Sequence, residues 1–379
     1  MLSREVNQKL RILFTIPNFI TAGSGREMLN IIERLDRARF APSVCVLRRG
    51  GRLDEEVERL GIPLLEAQFT VPTRPLYNLP QRVWRAARVF RPYKFSVWHS
   101  FHWSSDYTEP LVARLSGAKA WVYTKKNMNW GSRAWHLRTL LATRVVARNH
   151  SMVGNYFGDF RYRSKARLVQ GGVDTTKFSA RVAPHLRLRE QFGIPGGAPV
   201  VACVAQLVRA KGHPTLLQAA AKIDDLHLWL VGKPADEEYA KSLREMVVEL
   251  GLSSRVRFLE NIGDIPALLA ETDIFVLPTW ARNGHEEGCP VALLEAMAAG
   301  KSCVATDVAG SRDLVEHGVS GLLVAPESVG QLVDALRQLL SSSDQRRVMG
   351  LEARKRVETA FTLEKESAGM QAVYEELIG

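Results

Sequence analysis

Residues 200–221, VVACVAQLVRAKGHPTLLQAAA, contain the pattern that decides the fold of this chain. The β-branched run at 200–204 predicts a buried strand, a glycine-containing turn follows at 206–212, and 214–221 have helical periodicity. The same plan opens the chain, with a strand at 10–16, a turn at 21–25 and a helix near 27–35. Strands and helices continue to alternate after each of these passages, which predicts two parallel sheets with helices on both faces.

The second half shows the alternation most clearly. Its further strands are predicted at 226–231, 256–259, 274–277, 302–305 and 321–324, and its helices at 235–250, 265–270 and 291–299. A length of 379 residues suits two domains. We therefore predict an α/β chain of two Rossmann-like, doubly wound domains facing a central cleft. Residues 1–180 form the first, 181–364 form the second, and a final helix at 365–379 returns to the first.

Charge is distributed unevenly along the chain. Residues 1–180 hold 30 Lys and Arg against 13 Asp and Glu, whereas the net charge of the whole chain is +11. A basic half favours an anionic partner such as an acidic substrate or a membrane surface; the alternative is that the charge serves solubility alone. One basic, aromatic stretch would suit an anionic lipid surface, or would be a solvated helix face with its tryptophan buried. It contains Arg82, Trp84, Arg85, Arg88 and Arg91.

Cysteine usage and hydropathy indicate the cellular compartment of the protein. The four cysteines are scattered, and no CxxC or Cys/His cluster with zinc spacing occurs. No apolar run is long enough to cross a bilayer, and the N-terminus lacks the pattern of a signal peptide. We expect reduced thiols and a cytoplasmic protein, whose basic half would also reach the inner face of the membrane.

The segment 278–295, PTWARNGHEEGCPVALLE, follows a predicted strand and enters a predicted helix at Pro290. Glu287 lies just before that helix and Glu295 lies on it. Carboxylates are good acceptors for vicinal sugar hydroxyls, although each glutamate taken alone would be read as surface charge. The helix start, Gly288, Cys289, Pro290 and Val291, would offer backbone N–H groups and a positive dipole end to a phosphate.

Three other loops follow predicted strands. In the first, Lys211 and Arg209 are candidate counter-charges for a diphosphate; the alternative is a solvated basic turn. In the second, the turn Gly23-Ser24-Gly25 would bring backbone N–H groups to a phosphate, although it is too short for a dinucleotide fingerprint. In the third, His99 and His102 follow a strand predicted at 95–98, and either could exchange a proton near pH 7. The chain has no Asp-x-Asp, so we expect cations and helix dipoles, rather than a metal, to balance a diphosphate.

The second half resembles the retaining glycosyltransferase family 4, the group 1 type of the GT-B fold. The resemblance is carried by Glu287-Gly288-Cys289-Pro290 and by Leu294-Glu295-Ala296-Met297-Ala298 with Gly300, which match the pattern E-G-x-P-x-x-x-x-E-A-x-A-x-G. The segments 276–278, 305–310 and 321–324 are also similar to family segments. The resemblance is looser over 1–180, where it includes the opening loop and the turn at 171–174 with Phe178.

The resemblance implies a retaining hexosyltransferase that uses a nucleoside-diphosphate sugar and needs no metal or other cofactor. Glu295 would hold the ribose hydroxyls, Glu287 the 3- and 4-hydroxyls of the donor sugar, and Lys211 the diphosphate, with help from the amides at 23–25. The first domain would bind a glycan, lipid-linked or small-molecule acceptor, as in the synthesis of cell-envelope polysaccharide. No nucleic acid is expected, because no stacking motif accompanies the basic half.

The chain departs from the family pattern at three places. Gln206 stands where the family has a diphosphate-binding arginine, and Arg209 is the candidate replacement. Phe101 interrupts the family's H-x-H arrangement, which leaves both His99 and His102 as candidates. Gly171 replaces an asparagine in the junction turn, where glycine is conformationally tolerant.

Two alternative functions remain open on this fold. One is a sugar-nucleotide epimerase or a phosphorylase-like enzyme. The other is a homologue that binds a nucleotide sugar without turnover, which the missing arginine favours and the two glutamates with Lys211 oppose.

Overall fold

Two parallel β-sheets organise the chain. The computed structural model describes residues 9–20, 22–126, 128, 132–281 and 287–377, and these form two units. The first unit takes the described residues up to Lys126, from 132 to Gly171 and from Leu363 onward; the second takes Met128 and 172–362. Each unit is a doubly wound α/β domain, so the architecture predicted from the alternation is confirmed.

The first unit contains a seven-stranded sheet in the order β3-β2-β1-β4-β5-β6-β7, with all strand pairs parallel. Its strands are β1 (Leu10–Ile16), β2 (Phe40–Val46), β3 (Leu64–Glu66), β4 (Val97–Ser100), β5 (Ala120–Lys125), β6 (Arg144–Ala147) and β7 (Ala166–Leu168). Its helices are α1 (Ala22–Glu33), α2 (Asp54–Arg59), α3 (Leu79–Phe90), α4 (Thr108–Ser116), α5 (Ala134–Leu141), α6 (His150–Phe157) and the last helix of the chain, α15 (Leu363–Glu375).

The second unit contains a six-stranded parallel sheet in the order β10-β9-β8-β11-β12-β13. Its strands are β8 (Val200–Val204), β9 (His227–Val231), β10 (Val256–Leu259), β11 (Ile274–Leu277), β12 (Ser302–Thr306) and β13 (Leu322–Val324). Its helices are α7 (Leu188–Gln191), α8 (His213–Ala220), α9 (Glu237–Glu249), α10 (Ile265–Ala270), α11 (Val291–Ala298), α12 (Ala309–Leu314), α13 (Val329–Leu340) and α14 (Ser343–Ala360). The strands and helices predicted in this half are confirmed to within two residues at each end.

The last helix is built into the core of the first unit. Its Met370, Val373 and Tyr374 are buried among the side chains of the seven-stranded sheet. The Tyr374 ring meets Phe14 of β1 edge to face, with ring centroids 6.1 Å apart. Helix α15 therefore stabilises the first unit, although the whole second unit separates it from that unit in the sequence.

The division between the units differs from the predicted boundaries at 180/181 and 364/365. Residues 172–180 belong to the second unit, because Val173 and Phe178 are buried in its core. Arg354 of α14 also donates to the carbonyl oxygens of Thr175 and Phe178, at 3.3 and 3.1 Å. The chain passes back to the first unit at Leu363, two residues before the predicted boundary.

Two local predictions are wrong. Helix α1 begins at Ala22 rather than near residue 27, so Gly23, Ser24 and Gly25 lie in its first turn and not in a loop. Packing fixes this turn, since a Cβ at Gly25 would come within 2.6 Å of the Phe19 ring. Strand β4 is Val97–Ser100, so His99 lies inside the strand rather than after it.

Among the described helices, none combines the length and hydropathy needed to cross a bilayer.

Candidate active site

The order of the second sheet reverses between β8 and β11. The chain runs outward from β8 to β9 and β10 and then returns to the other side of β8, so the loops after β8 and β11 meet at the carboxyl edge. Such a switch point is where open parallel sheets bind ligands. These two loops, 205–212 and 278–290, carry the predicted Lys211 and Glu287; residues 282–286 lie outside the described part of the chain.

Gly212 allows the two loops to approach each other closely. Its φ of +68° is in the left-handed region, and a Cβ there would overlap the carbonyl oxygen of Pro278. The contact is extended by Trp280, whose backbone N–H donates to the Ala210 carbonyl at 2.8 Å and whose indole N–H donates to Thr215 at 3.1 Å. This close approach places Lys211, the residue before Gly212, against the loop that follows β11.

Lys211 and Glu287 form a salt bridge, in which the ammonium contacts Oε1 of the carboxylate. The exposed fractions of the two side chains are 19% and 27%, so the pair is partly shielded from water. Burial lowers the pKa of Lys211 to about 8. The neighbouring Cys203 acts in the opposite direction on this pKa.

Gly310, at the start of α12, lies under the backbone of loop 278–290, which carries Glu287. A Cβ there would come within 2.6 Å of the Glu287 carbonyl oxygen and 2.9 Å of Pro290 Cδ. The position therefore admits only a glycine without displacing the loop. The sequence showed Gly310 only as part of a segment similar to the family, and nothing in its local spacing indicated that it supports Glu287.

Glu295 lies slightly more than one turn into α11, which starts at Val291 with Pro290 as its N-cap rather than as its first residue. Burial raises the pKa of Glu295 to about 7, and the positive charge of Lys177 opposes this shift. The carboxyl group is therefore poised between its neutral and ionised forms near neutral pH.

The start of α11 was predicted to offer backbone N–H groups. The first intrahelical bond is donated by Leu293 to the Pro290 carbonyl at 3.1 Å, so the N–H groups of Val291 and Ala292 precede the helical ladder. Gly288 and Pro290 are buried, Cys289 is half-buried and Val291 is exposed.

Gln206 and Arg209 are both exposed on the loop after β8. The guanidinium of Arg209 lies over the ring of Tyr239 in α9, 5.2 Å from its centroid. Tyr239 thus holds the arginine predicted to replace the charge that Gln206 lacks.

The first sheet has its own switch point between β1 and β4. The first turn of α1 follows β1 there, so Gly23, Ser24 and Gly25 remain at a ligand-binding edge although they are helical. The partly buried Lys126 adds a cation, since its ammonium lies 3.5 Å from the Ser24 carbonyl oxygen and 3.0 Å from Glu27 Oε2. Sequence reasoning missed Lys126, which comes directly after β5 without a motif to mark it.

His99 is a core residue, and its predicted catalytic role is wrong. It is fully buried, with Nδ1 hydrogen-bonded to the Tyr374 hydroxyl at 2.7 Å and Nε2 to the Thr124 hydroxyl at 2.9 Å. Burial lowers its pKa to about 3, so the ring is neutral. Both ring nitrogens have partners inside the unit, and neither can serve a substrate.

His102 lies beyond the end of β4, at the switch point, and is partly exposed. Its Nδ1 is 3.4 Å from the Ser104 hydroxyl, and its ring meets Phe69 edge to face. The pKa of His102 lies below its ordinary value, chiefly because of burial. Glu109 and Asp106 oppose this shift, and Arg138 adds to it. Of the two candidate histidines, the structure leaves His102 at the binding edge.

Both units match known protein families. A family model described as Glycosyltransferase Family 4 matches residues 21–177, and one described as Glycosyl transferases group 1 matches residues 185–356. Between them the two models cover most of the first unit and nearly all of the second.

Two curated relatives illustrate the similarity. The GDP-mannose-dependent alpha-(1-6)-phosphatidylinositol monomannoside mannosyltransferase of Mycobacterium tuberculosis is 32% identical over 191 residues, which are 48% of this chain and 49% of that protein. The D-inositol 3-phosphate glycosyltransferase of Corynebacterium urealyticum is 29% identical over 283 residues, 67% of this chain and 65% of that one. The aligned region is therefore about half of the first relative and about two thirds of the second.

Solved structures agree on the fold. A glycosyltransferase from Rickettsia africae superposes with a TM-score of 0.85 at 19% identity, covering 98% of this chain and 99% of that one. The Anabaena protein HepE, in complex with UDP and glucose, superposes with a TM-score of 0.81 at 20% identity, covering 97% and 99%. Because both family models match in order along the chain, which also has the fold of these structures, the chain belongs to the group 1, family 4 glycosyltransferases of the GT-B fold.

Proposed function

We propose that this chain transfers a hexose from a nucleoside-diphosphate sugar to a hydroxyl of a glycan, lipid-linked or small-molecule acceptor, with retention of the anomeric configuration. The observation that carries the proposal is the contact of Lys211 with Glu287 at the switch point of the second sheet. It joins a cation suited to a diphosphate and a carboxylate suited to sugar hydroxyls in one place.

Each side chain has a proposed task on the donor. Lys211, with the N–H groups at the start of α11, neutralises the diphosphate, and Arg209 and Gln206 assist from the same loop. Glu287 accepts hydrogen bonds from the 3- and 4-hydroxyls of the sugar, and Glu295 accepts them from the ribose. These groups supply the charge needed by the leaving group, so we propose that no metal ion or other cofactor takes part.

The proposed reaction is a front-face displacement. The acceptor oxygen forms a bond to the anomeric carbon on the face from which the bond to the diphosphate oxygen breaks. The acceptor proton passes to the departing diphosphate, which carries away the electron pair of the broken bond. The amides of Gly23–Gly25 and the ring of His102, at the switch point of the first sheet, are proposed to take part in the transfer as well.

The relatives support a nucleotide-sugar donor without fixing its base. One relative is named for GDP-mannose, another for inositol 3-phosphate as substrate, and HepE binds UDP and glucose.

The donor is identified by a thermal-shift screen with UDP-, GDP- and ADP-sugars, because a ligand that binds only the folded state raises Tm. The sugar that stabilises the protein is then used in transfer assays with and without EDTA, and the anomeric proton of the product is examined by NMR. Retention and full activity in EDTA are expected. Failure of every nucleotide sugar to raise Tm would overturn the proposal.

Variants test the roles of the two glutamates. Glu295→Ala should weaken donor binding, whereas Glu287→Ala should reduce turnover more than affinity. Unchanged kinetics in both would overturn the site assignment.

A further assay distinguishes the transferase from the alternative functions. Release of nucleoside diphosphate that depends on acceptor distinguishes it from an epimerase, and turnover itself distinguishes it from a homologue that only binds.

We also propose that the cytoplasmic enzyme rests on anionic membrane through α3. The helix has no acidic residue, and Trp84, Arg85, Arg88 and Val89 are exposed on one side. Trp84 is 43% exposed with Arg88 stacked over its ring at 4.8 Å, so it is not the buried residue of the alternative reading. Arg82 differs from the others, since it donates to the carbonyl oxygens of Arg74 and Pro75.

Sedimentation with vesicles tests this surface. Vesicles containing phosphatidylglycerol should bind the wild type at low salt, and R85E/R88E should lose most of that binding. The control R347E/K355E changes the same charge on exposed positions of α14 and should bind as the wild type does. Equal binding of both double variants would exclude α3 as the contact.

A further inference from the structure

Glu109 and Arg138 form a buried ion pair in the first unit. The exposed fractions of their side chains are 0% and 1%, and the closest N–O distance is 3.5 Å. The carboxylate accepts hydrogen bonds from Thr15 Oγ1 at 2.5 Å, Trp98 Nε1 at 3.1 Å and Ser100 Oγ at 2.6 Å. Both carboxylate oxygens are thus satisfied by groups from β1 and β4.

The guanidinium of Arg138 is equally well surrounded. It lies over the rings of Trp121 and Tyr123 in β5, at 4.7 and 5.1 Å from their centroids. Its nitrogens donate to the carbonyl oxygens of Asp106 at 2.5 Å and His102 at 3.3 Å. Burying two charges is expensive, and apolar residues of similar volume are often as stable or more so. The pair therefore calls for a role beyond stability.

That role is indicated by the hydrogen bonds that connect the pair to the backbone of His102. The backbone N–H of His102 donates to Ser100 Oγ at 3.2 Å, and the same Ser100 hydroxyl donates to Glu109. The carbonyl of His102 accepts from Arg138, so the network holds the histidine on both sides of its Cα. Through Asp106 it also holds the far end of the loop between β4 and α4.

We propose that Glu109 and Arg138 are positioning residues that set the backbone of His102, at the carboxyl edge of the first sheet, for its part in the transfer reaction. The inference rests on the proposed function, because it assigns His102 a place in the transfer reaction. Misplacement of a reacting or orienting group by about 1 Å costs on the order of 100-fold in rate. A network that fixes a loop from the sheet beneath it prevents such displacement.

The test is a double-mutant cycle on the transfer reaction. Glu109→Gln and Arg138→Lys should each lower kcat about 10- to 100-fold with the donor KM within twofold. In the His102→Ala background neither should lower kcat further, because the pathway through His102 is already lost. Losses that multiply, or a wild-type kcat in His102→Ala, would overturn the inference.

Two milder variants distinguish loss of the proposed role from misfolding. Ser100→Ala removes only the hydroxyl that links Glu109 to His102 and should lower kcat in the same non-additive way. Its control is Ser116→Ala, which removes a buried hydroxyl bonded to the Ala113 carbonyl on α4, away from His102. Equal kcat for the two serine variants also overturns the inference. Absence of transfer by the wild type would instead count against the proposed function.

Discussion

Lys211 and Glu287 neutralise each other across two loops that meet only because β8 and β11 are neighbours in the sheet. In the absence of donor each is the counter-charge of the other. On the proposed function, we expect the diphosphate of a nucleotide sugar to replace the carboxylate at the Lys211 ammonium, and the sugar hydroxyls to replace the ammonium at Glu287. The contact thus keeps the two side chains in place at the carboxyl edge of the sheet.

Removal of the Lys211 charge should therefore be severe. We expect Lys211→Ala to lower kcat/KM for the donor by about 100- to 1000-fold, since a preorganised charge at the leaving group is lost. Steady-state kinetics measure this, with Lys241→Ala on the surface of α9 as control. A loss of less than threefold would show that Lys211 does not neutralise the diphosphate.

Gly212 and Gly251 form a matched pair, because both have φ of +68° but only Gly212 faces an obstacle. Alanine in the left-handed region costs roughly 1–2 kcal/mol, and Gly251→Ala should lose no more than this. Gly212→Ala should lose at least about 2 kcal/mol more, because its Cβ overlaps the Pro278 carbonyl, and its donor affinity should fall with the displaced Lys211. Urea unfolding and donor titration measure the two effects. Equal stability of the two variants would contradict the close approach of the loops.

Donor affinity should depend on pH through Glu295. Its pKa of about 7 in the ligand-free protein means that acid converts it to a form that accepts sugar hydroxyls poorly. Binding favours the carboxylate and lowers the pKa, so affinity should fall as pH decreases through 7. We expect Kd to rise about tenfold between pH 8 and pH 6 by calorimetry. Glu295→Gln should bind more weakly with a flatter profile, and an unchanged slope in that variant would argue against the assignment.

His99 should affect stability and not turnover. Its pKa is about 3 in the folded protein against an ordinary value of 6.5, so the unfolded chain binds the proton more readily. The stability it contributes is present above pH 6.5 and is lost as pH falls toward 3. Between pH 7 and pH 5 the loss is on the order of 2 kcal/mol.

Urea unfolding of His99→Phe at the two pH values checks this expectation. The variant should be less stable at pH 7 by roughly 1–3 kcal/mol, because two buried hydroxyls lose their partner, and it should lose less on acidification than the wild type. The exposed His185→Gln should follow the wild type. A fall in kcat of folded His99→Phe without a change in stability would restore the catalytic reading.

Most of the fold could be predicted from the sequence. Strand and helix patterns in the second half were correct to within two residues because each depends on residues close together in the chain. The errors fall where packing overrides pattern. Residues 172–180 join the second unit through Val173 and Phe178, and α1 starts five residues early because Gly25 packs on Phe19.

The candidate site divides in the same way. The sequence by itself determined the two glutamates, the lysine and their position after parallel strands, since residue type and the order of elements suffice for that. Only the tertiary structure decided that Lys211 meets Glu287, that His99 is sealed in the core while His102 stays at the edge, and that Glu109 and Arg138 hold its loop. The physical reason is that hydrogen bonds and ion pairs form between neighbours in space, and strand order and packing, not distance along the chain, make residues neighbours.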